Sequence, residues 1–124
     1  MTPTDVLQVV RQEWTPDAFA KHVFALTADG RKVYSLDREA VKHCISGKIE
    51  QVIWRGYDVA EAAPDELKLL DWLCGETISV LDAAVYKKYN PVFGGIMSLN
   101  DLHGHGEVVA IIDAVLEGAS DDAN

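Results

Sequence analysis

Over residues 64–89 the chain carries apolar side chains at helical spacing without interruption. Leu67, Leu70, Cys74, Ile78, Leu81 and Val85 form one seam, and Leu69, Leu73, Val80 and Ala84 widen it to about half of the circumference. Pro64-Asp65-Glu66 reads as a helix start, because proline suits the first turn and acids there favour the helix dipole. Asn90-Pro91 ends the pattern. So wide an apolar face predicts a central helix packed by several neighbours, and with it a mainly α fold. Asp71, Asp82 and Lys68 hold the polar side. Gly75 falls there too, where it costs helix propensity but no packing.

The rest of the chain supplies the neighbours. Thr4-Asp5 reads as the cap of a first helix, with Pro3 outside it, ending near Glu13 before Trp14-Thr15-Pro16. Residues 17–22 are expected to add a turn or two. Asp29-Gly30 separates two β-prone runs, residues 22–27 and 31–34, which is a hairpin signal. The alternative is an irregular loop pinned by Phe24, Leu26 and Tyr34. Ser35-Leu36-Asp37 is read as opening a second helix, with Val41, Cys44, Ile45, Ile49 and Val52 on its apolar stripe. Lys48 falls inside that stripe, and His43, Gly47 and Glu50 lie opposite. Arg55-Gly56 stops it, and residues 57–63 form a loop. Residues 92–98 read as an extended segment. Ser98-Leu99-Asn100-Asp101 has the form of a capping box for a last helix, whose apolar side is Val108, Val109, Ile111, Ile112, Val115 and Leu116. Gly118 stops that helix. The expectation is a compact four-helix domain over residues 1–118, with a small β-hairpin near residues 23–34 and a flexible acidic tail at 119–124.

The chain has 124 residues, enough for one domain that folds without metal or disulfide. Its 48% apolar and 25% charged content is that of a globular protein. The net charge of −9 is unevenly placed: residues 1–62 carry eight bases against nine acids, residues 63–124 three against eleven. Such a surface repels phosphate backbones, which argues against nucleic-acid binding and leaves room for a basic partner. No apolar run is long enough for a membrane span. The start has no signal-peptide pattern. Cys44 and Cys74, thirty residues apart without a CxxC, fit a reducing compartment. A cytoplasmic address is the expectation.

Four places carry a resemblance. Trp14-Thr15 precedes Phe19 and the Asp29-Gly30 turn. Ala40-Val41 leads to Cys44 and Gly47. Leu69-Leu70 sits on the following helix. Ser98-Leu99-Asn100-Asp101 is followed by Glu107-Val108 and Ile112-Asp113. In this order they resemble a family of small uncharacterised helical domains of bacteria and phages. The departures are Lys48 for a small apolar residue, Leu99 for an aromatic, and a shorter stretch between Asp101 and Glu107. The resemblance implies a compact helical fold and a bacterial or phage source, and brings no activity.

Two constellations compete for a function. Asp101-x-His103-x-His105, flanked by Asn100 and Glu107, could point three metal ligands one way on an extended segment; zinc accepts such donors. The plainer reading is a helix N-terminus, with Ser98, Asn100 or Asp101 satisfying free N–H groups. Trp54-Arg55-Gly56-Tyr57 would form an exposed corner of the residue types enriched at protein interfaces; otherwise Trp54 folds back over the hairpin. His43-Cys44 does not face itself on a helix, and Cys44 reads as a core residue. No phosphate loop, nucleophile elbow, zincin motif or paired CxxC occurs. No catalytic residue and no cofactor is therefore expected, and an enzyme is the less favoured outcome. The favoured function is a non-enzymatic interaction or accessory protein with an acidic C-terminal half, docking on a basic partner surface. Trp54, Arg55 and Tyr57 would be its contacts, and Asp71, Glu76, Asp82, Asp113 and Glu117 would supply phosphate-like charge. The competing function is a small metal-dependent enzyme or metal-binding protein built on Asp101, His103 and His105. A homo-oligomer pairing apolar helix faces is a third arrangement.

Overall fold

The computed structural model describes residues 1–58, 60–89 and 94–122. Helix α1 (Pro3–Glu13) starts earlier than its composition suggested. Thr2 is the cap: its hydroxyl accepts the Asp5 N–H at 3.2 Å, and the Asp5 carboxylate accepts the Thr2 N–H at 2.8 Å. Pro3 thus lies in the first turn, where its missing N–H costs nothing. After Trp14 a single 3-10 turn, Pro16–Ala18, stands in place of the helical turns expected up to residue 22.

The hairpin forms, and a third strand joins it. Strands β1 (Ala25–Thr27), β2 (Lys32–Val33) and β3 (Ala40–His43) make an antiparallel sheet in the order β2-β1-β3, with Ala25 opposite both Val33 and His43. Gly30 takes the left-handed conformation (φ 85°) that the Asp-Gly turn requires.

Strand β3 corrects the expected second helix. Helix α2 (Ile45–Trp54) begins ten residues later than Ser35, with Cys44 as its cap. Val41 is half exposed on β3, whereas His43 and Gly47, expected on a polar face, are buried. The cause is non-local pairing. The Trp14 indole N–H donates to the His43 carbonyl at 3.1 Å, and His43 Nε2 meets the Ser35 carbonyl at 2.9 Å. Burial holds the His43 imidazole below its ordinary pKa. Gly47 packs under β1, where a Cβ would stand 2.3 Å from the Phe24 carbonyl oxygen. The C-terminal stop at Arg55-Gly56 is as expected.

Helix α3 (Pro64–Lys88) runs within one residue of its predicted bounds. Its buried face is Leu70, Leu73, Thr77, Leu81 and Val85; Leu69 and Trp72 are exposed. The segment expected to be extended is helical from Gly95 onwards, and its first residues, 92 and 93, lie outside the described ones. Helix α4 (Gly95–His103) contains Ser98 in its interior, where the hydroxyl donates to the Gly94 carbonyl instead of capping. The cap comes from α3: Asp82 accepts the Ile96 N–H at 2.8 Å. Gly104 (φ 91°) then separates α4 from α5 (His105–Asp122), so the expected last helix is two. Helix α5 passes through Gly118, so that glycine does not stop it, and the start of the expected tail is helical. Among the described residues there are five α-helices, not four, and the fold is mainly α with a small sheet.

All five helices feed one core. Val6, Leu7, Val10, Ile45, Ile49, Leu81, Val85, Ile96, Leu99, Val108, Ile111 and Ile112 are almost fully buried. Lys48 lies at its edge, its side chain 9% exposed. Its ammonium donates to Glu13 at 3.1 Å and Gln51 at 2.7 Å while the stem packs inside.

Candidate functional site

The residues expected to gather around a metal do not converge. Asp101 and His103 both follow the helical path of α4, and Gly104 redirects His105 into α5. Asp101 accepts the backbone N–H of His22 at 2.9 Å, with its second oxygen 3.6 Å from His22 Nδ1. His105 Nε2 meets the Trp14 carbonyl at 2.8 Å, and its ring packs on Trp14 and Phe19. The His103 ring stands beside Tyr89, whose hydroxyl donates to Glu107 at 2.9 Å. Among the described residues no group of three His, Cys, Asp or Glu side chains is placed to hold a metal ion. The ligand set fails because an extended segment, which would have aimed alternate residues one way, is helix and turn.

Asn100 has the structural part of that cluster. Fully buried, it accepts the Ile45 N–H at 3.0 Å and donates to the Ala20 carbonyl at 3.1 Å and to Asp101 at 3.0 Å. It thus ties α4 to the start of α2 and to the segment before the sheet. A buried amide with every partner in place fixes one arrangement. Its partners lie 55 and 80 residues away in sequence, so no local signal revealed them.

The Trp-Arg-Gly-Tyr corner survives as a site. Trp54, Arg55 and Tyr57 line a groove of about 1030 Å³ with Leu36, Asp37 and Asp58. Trp54 is half-buried: it packs against the core and also lines the groove. Leu36 is 43% exposed and Tyr57 48%. A smaller pocket of about 290 Å³ continues from Leu36 and Trp54 to Glu50, Asp71 and Cys74. Arg55 is already neutralised: its guanidinium donates to both oxygens of Glu13 at 2.8 and 2.6 Å. That fork, with Lys48 behind it, holds the Glu13 carboxyl down at about 2.

The remaining acids are dispersed. Asp82 is taken up in capping α4, and Asp113 pairs with Arg11 at 2.7 Å. Glu76 is exposed on α3 and Glu117 on α5. A phosphate-like row of all five carboxylates is therefore not what the fold displays. Sequence reasoning missed Leu36, Asp37 and Asp58, which the loops on either side of α2 bring to Trp54. No described helix is long and apolar enough to cross a membrane. No family model matches the chain, and neither do the curated proteins or the solved structures.

Proposed function

We propose that the chain is a protein-interaction module, and that the groove at the end of α2 receives a basic segment of its partner. The observation that carries this is one concave surface that holds exposed Leu36 and Tyr57 and half-buried Trp54, with Asp37 and Asp58 beside Arg38 and the already paired Arg55. Aromatic groups in such a setting are the usual anchors of interfaces. Asp37 and Asp58 line the groove, and Glu50 and Asp71 the pocket beyond it. Residues 57–66, of which Tyr57 and Asp58 line the groove, hold four acids and no base. Lysine or arginine stems of the partner would lie over the aromatic faces, and their charged heads would meet the carboxylates. The bacterial or phage source suggested by the resemblance is part of this proposal.

The test is a titration of the isotopically labelled full chain with a lysine- and arginine-rich peptide carrying two leucines. A second peptide replaces every base by glutamate. The proposal expects the basic peptide to shift the Trp54 indole and the amides of residues 55–58, and to bind more weakly as salt rises. Shifts spread over α3 and α5 alone, or equal binding by the acidic peptide, would refute it.

A further inference from the structure

The two edges of the sheet differ. On the β3 side the His43 carbonyl accepts the Ala20 N–H at 3.0 Å and the Trp14 indole N–H at 3.1 Å, so the chain before the sheet covers that edge at His43. On the β2 side no further strand follows among the described residues. The Thr27 N–H donates to the Arg31 carbonyl at 2.9 Å, and bonded pairs alternate along an antiparallel ladder. With Ala25 opposite Val33 and Leu26 opposite Lys32, Val33 is bonded to β1, whereas the Lys32 N–H and C=O and the Tyr34 N–H point outward. The Tyr34 carbonyl is taken by the Asp37 N–H at 3.0 Å.

The outer face of the sheet adds charge and aromatic surface to that edge. Ala25, Thr27 and His43 are buried, so Leu26, Lys32 and Lys42, which register as one row, lie on the opposite, outer face. Lys32 and Lys42 are exposed and join no ion pair among the described residues. Asp29 and Glu39 are both held by Arg31, at 3.2 and 2.9 Å. Phe24, 52% exposed, and Tyr34, 85% exposed, wall a groove of about 590 Å³ with His22, Lys32, Val33 and Asp37.

We infer that β2 and this groove receive an extended acidic segment of a partner protein by strand addition, at a surface that goes beyond the α2 docking proposal and does not depend on it. The partner's main chain would bond to the outward groups of Lys32 and Tyr34. An apolar side chain of the segment would sit against Phe24 and Tyr34. Two residues on, and so on the same face, a carboxylate would meet Lys32, with Lys42 two strand spacings away, about 10 Å. The charge selects the occupant, because both unpaired charges of the row are positive. A second copy of the chain pairing by the same edge would set Lys32 against Lys32, which is unfavourable. A nucleic acid carries a charge at every nucleotide against a chain of −9, and it has no main-chain amides to offer the edge. Asp37, the one carboxylate of the lining, also lines the α2 groove and joins no ion pair. One substitution therefore acts on the two surfaces with opposite signs.

The isotopically labelled full chain is titrated with the peptide Thr-Phe-Thr-Glu-Thr-Glu-Thr. The controls are the same peptide with lysine for glutamate, the same peptide N-methylated at its first glutamate, and a single-stranded oligothymidylate of equal length. The acidic peptide should shift the Lys32 and Tyr34 amides, slow their hydrogen exchange, and bind more weakly as salt rises. Lys32→Glu should weaken it on the order of 10-fold, and Lys42→Glu less, because that lysine lies farther off. Tyr34→Ala, at a site too exposed to unfold the chain, should weaken it on the order of 5-fold or more. Asp37→Asn keeps the bond from the Glu39 N–H. It should strengthen the acidic peptide here and weaken the basic peptide in the α2 groove. The N-methylated peptide should lose most of its affinity, since its donor to the Lys32 carbonyl is gone while its charge remains. No shift at Lys32 and Tyr34 with millimolar acidic peptide, or equal affinity in Lys32→Glu, would overturn the proposal. Equal affinity of the N-methylated peptide would overturn strand addition, and tighter binding of the oligothymidylate would overturn the acidic peptide as occupant.

Discussion

Alanine should act in opposite directions at two helical glycines. In a helix interior Gly→Ala is worth about 1 kcal/mol from propensity alone. At Gly75, on α3, an added Cβ meets no atom within 4 Å. Gly75→Ala should therefore stabilise by about 0.5–1 kcal/mol. At Gly47 the same Cβ would stand 2.3 Å from the Phe24 carbonyl oxygen, 3.2 Å from its carbon and 3.4 Å from Ser35 Cβ. The nearest atoms are backbone and cannot rotate away. That carbonyl accepts the Cys44 N–H at 3.1 Å, so displacing it breaks the bond joining the sheet to the start of α2. Overpacking costs about 1–3 kcal/mol, and the lost hydrogen bond about 1 kcal/mol more. After the propensity gain, the net loss for Gly47→Ala is about 1–3 kcal/mol. Urea unfolding followed by circular dichroism reads both variants, provided the slope is unchanged. The midpoint should rise for Gly75→Ala and fall for Gly47→Ala. If Gly47 lay on the solvent face of a longer helix, as the periodicity over residues 35–55 suggests, alanine would stabilise at both places. A Gly47→Ala midpoint at or above wild type would refute the packing of α2 under β1.

Other consequences follow from the buried polar groups. Asn100→Leu keeps the volume but strands the Ile45 N–H and the Ala20 carbonyl, and should cost about 3 kcal/mol in the same urea assay. Acid should weaken the fold in two windows. Glu13, held at about 2 in the fold against an ordinary 4.5, contributes stability that is complete above 4.5 and lost as pH falls towards 2. Because its side chain is 37% exposed, screening reduces that contribution to about 1 kcal/mol. His43, kept below 6.5 by burial, contributes stability above that value and loses it as pH falls through the lower folded one. Unfolding midpoints against pH should therefore fall more gently below 4.5 in Glu13→Gln than in wild type; parallel curves would contradict the assigned role of Glu13.

What the sequence disclosed, and what it hid, follows the range of the interactions. Helix α3 was legible nearly to the residue, because Pro64, the acids after it, the apolar seam and Asn90-Pro91 are all local signals. The hairpin was legible from Asp29-Gly30, since that turn chemistry lies within two residues. The start of α2 was not. Val41, Cys44, Ile45 and Ile49 share a helical spacing by coincidence, and only pairing with β1 and the Trp14–His43 bond makes residues 40–43 a strand. The Asn100-Asp101 pair was noticed for its composition but misplaced. Its partners Ala20, His22 and Ile45 are brought to it by the tertiary fold, which no capping pattern reports. Similarly, Trp54-Arg55-Gly56-Tyr57 was recognised as a corner, yet Leu36, Asp37 and Asp58 complete it from other loops. The excess acid of the second half was legible as a number. Its distribution was not, because Asp82 and Asp113 are used within the fold.

The most direct test of the docking reading is the affinity of Tyr57→Ala for the basic peptide, measured by calorimetry beside the wild type. Tyr57 is half exposed and outside the helices, so its truncation should leave the melting temperature unchanged. If the groove is the docking face, losing an aromatic anchor should weaken binding about 10-fold or more. Equal affinity in a variant of unchanged stability would contradict the account.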